Sequence, residues 1–238
     1  MTETFALLLL AHAAADFLLQ TRRMALNKRD PLQLLLHALV VLLTAQLALG
    51  QFAAWPLLVL AAAHAAIDAV KARLPATLTT FLADQAAHLA TLVATAALAP
   101  GLFATGLWAA APWAPGAATL LAGAILATTA GGYAMASLMS RFTTDDLPRG
   151  LADGGRVIGL LERGLIFVLV LVNQPAGIGF LIAAKSILRF DTASHNQKAG
   201  EYVIIGTLAS FGWALIAAYA TLALANALPP LGILPPLP

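Results

Sequence analysis

Long apolar runs dominate the chain, and short polar or proline-containing segments separate them. A run of about 17–25 apolar residues is long enough for a helix to cross a bilayer. Six runs of about this length and two shorter ones predict eight membrane-spanning helices, at about residues 4–20, 32–50, 56–74, 79–99, 117–139, 157–172, 176–190 and 201–225. Pro31 and Pro56 suit first helical turns, and Pro100 and Pro175 suit helix ends. The sixth and seventh runs are short, so a re-entrant pair is the alternative there.

Composition agrees with this pattern. Of the 238 residues, 61% are hydrophobic and 10% are charged, whereas soluble domains average about 45–50% apolar and about 25% charged residues. The predicted fold class is therefore all-α, a polytopic transmembrane helical bundle. The absence of cysteine excludes disulfides and thiolate metal sites. A net charge of +2 gives no reason to expect a nucleic-acid partner. Glu3, rather than basic residues, precedes the first run, so we expect no cleaved signal peptide.

The basic residues are segregated. With eight spans, all 13 Lys and Arg residues lie in the loops after spans one, three, five and seven, or in adjoining helix ends. Basic loops face the cytoplasm, so both termini are predicted outside, in a multi-pass protein of the bacterial inner membrane. We expect a four-helix half over 1–100, a second half over 117–225 and a proline-rich tail over 226–238.

Ionisable residues inside membrane spans are costly and mark function more often than packing. The first four spans contain three His/Asp pairs at a spacing of four residues, plus one further histidine: His12 and Asp16, His64 and Asp68, Asp84 and His88, and His37. A spacing of four places both side chains on one helical face. The order is reversed in the fourth span, which runs in the opposite direction, so in every pair Asp is nearer the inner face.

These seven side chains are predicted to converge on a metal site. Imidazole and carboxylate are the usual ligands of Zn, Mn, Fe and Ni, and seven donors suffice for two ions, or for one ion with supporting groups. Asp16, Asp68 and Asp84 are also the candidate catalytic acids or bases. A proton relay, or separate hydrogen bonds to neighbouring helices, are the alternatives.

A second cluster of charged residues is predicted at the inner helix ends. Together with Lys71 it forms our candidate binding set for an anionic substrate: Lys71, Glu162, Arg163, Lys185, Arg189 and Glu201. The alternative is that these basic groups reach lipid head groups and pair with the nearby acids.

The polar pattern resembles a known family. The segments HAAADFLLQ (12–20), HAAIDAVK (64–71) and DQAAH (84–88), with His37 between them, resemble the bacterial membrane proteins catalogued as domain of unknown function 3307. The segments at 158–167, 178–190 and 201–210 resemble the C-terminal half of longer members. The resemblance implies a bacterial inner-membrane protein and carries no established activity.

Three functions fit these features. The first is a metal-dependent hydrolase or transferase that acts on a phosphate-bearing or lipid anion at the cytoplasmic leaflet. The second is a divalent-cation or proton-coupled transporter that uses the same His/Asp cluster. The third is a non-catalytic membrane partner or sensor. The substrate, the identity of the metal and the oligomeric state do not follow from the sequence.

Overall fold

The computed structural model describes residues 1–142, 151, 153–195 and 197–231, without the side chains of 188–195. Every regular element in this part of the chain is helical, which confirms the all-α fold class. The helices are α1 (Thr2–Ala14), α2 (Arg22–Leu26), α3 (Pro31–Leu49), α4 (Trp55–Lys71), α5 (Leu78–Leu98), α6 (Ala114–Ile125), α7 (Gly131–Met139), α8 (Gly154–Leu171), α9 (Ala176–His195) and α10 (Gln197–Asn226). Single π-helical turns follow α1, at Ala15–Leu19, and α6, at Leu126–Ala130.

Five helical segments are long and apolar enough to cross a membrane: Thr2–Leu19, Pro31–Leu49, Leu78–Leu98, Ala114–Met139 and Gln197–Asn226. The chain is therefore a membrane protein. Each of the eight predicted runs coincides with helical structure. The short helix α2, in the first basic loop, was not predicted.

Local sequence signals define the helix ends around the polar cluster. The Asp30 side chain accepts a hydrogen bond from the Leu32 amide at 3.0 Å, and Pro31 occupies the first turn of α3. Gly50 ends α3 in the left-handed conformation, with φ of 64°, which glycine adopts without steric cost. Thr77 and Thr80 form a reciprocal capping box at the start of α5. The sequence therefore sets the register of α3 and α5, which carry three of the predicted ligands.

The chain divides into two compact units. The first comprises 1–125 and 223–231, and the second includes 126–222. The first unit thus takes in more of the chain than the predicted N-terminal half, because α6 packs along α1.

The first unit has a continuous apolar core. Helix α1 packs against α3, α5 and α6, while α4 lies against both α3 and α5. The core consists of Leu7, Leu8, Ala11, Ala45, Leu49, Leu57, Leu60, Leu92, Leu102, Phe103 and Ala118. The buried hydroxyl of Thr4 donates to the Pro100 carbonyl at 2.8 Å, and Trp108 donates to the Leu47 carbonyl at 2.8 Å. These bonds connect the loop after α5 to α1 and α3.

In the second unit, two side chains donate hydrogen bonds to backbone carbonyl groups of a π-helical turn. Trp213 Nε1 donates to the Leu126 carbonyl at 2.8 Å, and Arg163 Nε donates to the Thr128 carbonyl at 3.1 Å. A π turn interrupts the regular helical hydrogen-bond ladder. The two side chains supply donors at this interruption and connect α8 and α10 to it.

Candidate metal centre

Four helices of the first unit carry the polar cluster. His12 lies on α1 and Asp16 in the π turn that follows it, His37 lies on α3, His64 and Asp68 lie on α4, and Asp84 and His88 lie on α5. All seven side chains are at most 7% exposed. The structure therefore brings all seven predicted ligands together in the interior of one unit.

Four ligand atoms include one close pair of imidazole nitrogens and a carboxylate oxygen from each of two aspartates: Asp16 Oδ1, His37 Nε2, His64 Nε2 and Asp68 Oδ2. The two imidazole nitrogens are 3.1 Å apart. They lie 3.3 and 3.4 Å from the Asp16 oxygen, and 3.4 and 3.5 Å from the Asp68 oxygen. Ligand bonds of about 2.0–2.1 Å in a tetrahedral zinc site separate the ligand atoms by about 3.3–3.4 Å. The five distances that involve an imidazole thus lie near the edge length of a tetrahedral metal site, and Asp16, His37 and His64 offer three ligand atoms within 4.8 Å of one another.

The same atoms lack conventional partners. Asp16 Oδ1 and Asp68 Oδ2 are buried and have no hydrogen-bond partner among the described residues. A buried acceptor without a donor costs about 1–3 kcal/mol. A cation bound among these atoms would satisfy both oxygens, so the residues present fit a metal ion.

A second group lies next to the first. His88 Nε2 is 3.3 Å from Asp84 Oδ1 and 3.8 Å from Asp68 Oδ1. Asp84 Oδ1 and His88 Nε2 are both buried without a hydrogen-bond partner in the described chain. The His64 and His88 rings stack with centroids 3.9 Å apart. Asp68 therefore contributes one oxygen to each group.

His12 lies at the edge of the cluster. Its Nε2 is 3.3 Å from Gln85 Oε1, and its Nδ1 is 4.0 Å from Asp16 Oδ2. One ligand atom each from His12, His64 and His88 lie within 4.8 Å of one another. His12 is thus placed either to orient Asp16 or to bind an ion shared with the other two imidazoles.

Two lysines pair with two of the three carboxylates. Lys28 Nζ donates to Asp68 Oδ1 at 2.6 Å, and Lys71 Nζ donates to Asp84 Oδ2. The Lys28 side chain is 10% exposed and that of Lys71 is 32% exposed. Sequence reasoning placed Lys28 only among the loop charges that set topology. One feature of the sequence could have indicated a role for Lys28 in the cluster: three buried carboxylates need positively charged partners.

The predicted anion-binding residues have partners of their own. In the first unit, Lys71 contacts Asp84. In the second unit, Lys185 Nζ donates to Glu162 at 2.7 Å, and Glu201 accepts from Gln197 at 3.1 Å. The buried Arg163 donates to the Thr128 carbonyl and to Ser210 Oγ. The side chain of Arg189 lies outside the described residues.

The cluster has an apolar side and a polar side. Each histidine has a buried apolar residue one helical turn away, on the side opposite to the carboxylates. These four residues are Leu8, Val41, Leu60 and Leu92. The carboxylates and the two lysines lie on the other side, where Lys71 reaches the surface. Lys71 therefore connects the carboxylate side of the cluster to the surface.

Comparison with known proteins identifies only the family. A family model described as Protein of unknown function (DUF3307) matches residues 4–109. Neither a curated protein nor a solved structure matches the chain. The matched segment contains all seven residues of the cluster, and the predicted family is confirmed over it. Over residues 4–109, the chain is thus similar to the family of unknown function 3307.

Proposed function

We propose that the first unit binds a divalent metal ion through Asp16, His37, His64 and Asp68, and that the protein is a metal-dependent membrane hydrolase or transferase. The observation that carries the proposal is the set of four buried ligand atoms around the His37–His64 nitrogen pair, two of them carboxylate oxygens without a hydrogen-bond donor in the described chain. Two imidazoles and two carboxylates suit Zn, Mn, Fe or Ni.

The chemistry follows from the donor set and its surroundings. A divalent ion held by three of these ligand atoms would keep a coordination position for water, lower the pKa of that water and supply hydroxide near neutral pH. Asp84 lies outside the four-atom set, so it remains for proton transfer or for a further ligand role. The partly exposed ammonium of Lys71 stands between the cluster and the surface. An anionic substrate, either phosphate-bearing or a lipid, suits this approach.

The proposed membrane topology follows from the distribution of charge. Eight spans with both termini outside place every basic residue on the cytoplasmic side of a bacterial inner membrane. Lys28 and Lys71 contact the carboxylates of the cluster. The carboxylates would then face the cytoplasmic leaflet, where lipid head groups and soluble anions meet.

The competing function is transport of a divalent cation or of a proton-coupled solute. Intramembrane His and Asp residues are common in such proteins. The layer of Leu8, Val41, Leu60 and Leu92 favours the enzyme, because these buried residues close the side away from the carboxylates. In proteoliposomes, the enzyme proposal expects substrate turnover without metal flux, whereas metal-gradient-driven flux would favour the transporter.

Metal content tests the site directly. The full-length protein is purified in detergent without chelator, and its bound metal is measured by elemental mass spectrometry. Wild type is expected to contain a transition metal that His64→Ala loses, because that substitution removes one of the four ligand atoms. His195→Ala is the matched control, since it makes the same chemical change outside residues 4–109. Wild-type metal content in His64→Ala, with the helical circular dichroism of both variants intact, would contradict the proposal.

A further inference from the structure

We infer that the cluster binds a second divalent cation, at Asp68, Asp84 and His88, and that the ammonium group of Lys28 competes with this ion. The inference rests on the proposed function, because Asp68 belongs to both groups. The result would be a two-metal centre in which the Asp68 carboxylate bridges the ions.

The two oxygens of Asp68 face different partners. Oδ2 lies 3.4 Å from His37 Nε2 and 3.5 Å from His64 Nε2. Oδ1 lies 3.8 Å from His88 Nε2 and 2.6 Å from Lys28 Nζ. A carboxylate with one oxygen directed at each of two adjacent donor groups has the arrangement of a bridging ligand.

The second group has buried ligand atoms of its own beside the shared Asp68. Asp84 Oδ1 and His88 Nε2 are 3.3 Å apart, both are buried, and neither has a hydrogen-bond partner among the described residues. One ligand atom each from Asp68, Asp84 and His88 lie within 4.8 Å of one another. Three protein ligands leave coordination positions for water or substrate, as catalytic zinc sites do.

The ammonium group of Lys28 supplies the positive charge next to Asp68 in this second group. Its ammonium contacts the same Asp68 oxygen that would bind the second ion. Since like charges at this distance repel, occupation by a metal requires the ammonium to withdraw. Lys28 lies in the loop between α2 and α3, so the movement requires no shift of a membrane-spanning helix.

The charge balance indicates the class of substrate. With neutral imidazoles, three carboxylates and two ammonium groups leave one net negative charge in the cluster. Two divalent ions reverse this balance to a clear positive excess, even when Lys28 withdraws. An anion is needed to restore neutrality, and pairs of metal ions about 3.5–4 Å apart commonly bind and cleave phosphate esters. The proposed ligand of the two-ion centre is therefore a phosphate ester.

Zinc binding to the chelator-treated, full-length protein tests the inference. Zn²⁺ uptake is measured by equilibrium dialysis with elemental analysis, for wild type, Asp84→Asn, Asp16→Asn and Lys28→Met. We expect two ions per wild-type chain and one per Asp84→Asn chain. Lys28→Met should bind the weaker ion roughly tenfold more tightly, because removal of a neighbouring charge is worth at least about 1.4 kcal/mol. Arg29→Met is the matched control, since Arg29 donates to the Ala72 carbonyl at 2.8 Å rather than to the cluster.

The outcomes separate the two proposals. One ion in both wild type and Asp84→Asn, lost in Asp16→Asn, would overturn the second site and leave the first intact. Absence of Zn²⁺ from wild type would overturn both. Two wild-type ions with no tightening in Lys28→Met, or equal tightening in Arg29→Met, would refute the competition by Lys28. Circular dichroism and size-exclusion profiles like those of wild type establish that each variant is folded.

Discussion

Lys28 and Lys71 each pair with a buried carboxylate, and their difference in exposure predicts different costs of removal. We consider Lys28→Met and Lys71→Met in metal-free protein, because methionine keeps much of the side-chain length and removes the charge. Asp68 is 1% exposed and its partner Lys28 is 10% exposed. Breaking a buried ion pair by removing one partner costs about 3–5 kcal/mol. We expect Lys28→Met to lower the free energy of unfolding by about 3 kcal/mol, at the low end of that range, because neighbouring imidazoles remain near Asp68.

The Lys71 pair should contribute less. The Lys71 side chain is 32% exposed, so water screens its charge, and Asp84 keeps a hydrogen bond from Gln85 Nε2 at 3.0 Å. Lys71→Met should therefore cost about 1 kcal/mol, near the upper value for exposed pairs.

The assay is chemical unfolding in detergent micelles with chelator present, followed by far-ultraviolet circular dichroism. Added Zn²⁺ should restore much of the lost stability of Lys28→Met, since a cation bound to the folded state replaces the missing charge. A larger loss in Lys71→Met than in Lys28→Met would refute the reasoning from burial. Failure of Zn²⁺ to stabilise Lys28→Met would show that the cluster does not accept a cation in place of the ammonium.

Two further predictions concern packing and topology. A Cβ atom at Gly106 would lie 2.0 Å from the Leu49 carbonyl oxygen, whereas one at Gly101 would meet nothing within 4 Å. Gly106→Ala should therefore destabilise the protein by about 1–3 kcal/mol, and equal unfolding midpoints for Gly106→Ala and Gly101→Ala would contradict the close contact. Reporters inserted in the loop between α4 and α5 and in the turn between α3 and α4 should signal from the cytoplasm and from the outside, respectively. The same side for both would refute the proposed topology.

The helices and the convergence of the cluster could be predicted because both depend on local geometry. Apolar runs of membrane-spanning length specify helices, and a spacing of four residues places His64 and Asp68 on one face of α4. The reversed order of Asp84 and His88 matches the opposite direction of α5. A regular helical period, combined with matched depth in the membrane, was sufficient to group seven side chains.

The details that distinguish a metal site from a set of hydrogen bonds could not be predicted. Nothing in the sequence marks the π-helical turn that carries Asp16, and an extra residue in a turn rotates every side chain that follows it. The contact of Lys28 with Asp68 joins residues 40 positions apart, so it depends on how α3 and α4 pack. Likewise, the pairing of Glu162 with Lys185 follows from packing within the second unit.

In the first unit, apolar, imidazole and carboxylate side chains follow one another in layers, and this order bears on function. Along α4, the buried residues pass from Leu60 to His64 to Asp68 at intervals of one helical turn, and α5 gives the reverse order from Asp84 to His88 to Leu92. Apolar, imidazole and carboxylate layers are thus stacked in the same sense on both helices. A transport path requires polar groups on both sides of its central site, or a layer that can open. Leu60 and Leu92 belong to the continuous core that holds the unit together, so opening that layer would expose apolar surface at a cost of about 25 cal/mol for each Å². The arrangement favours a reaction centre that is entered and left from its basic side.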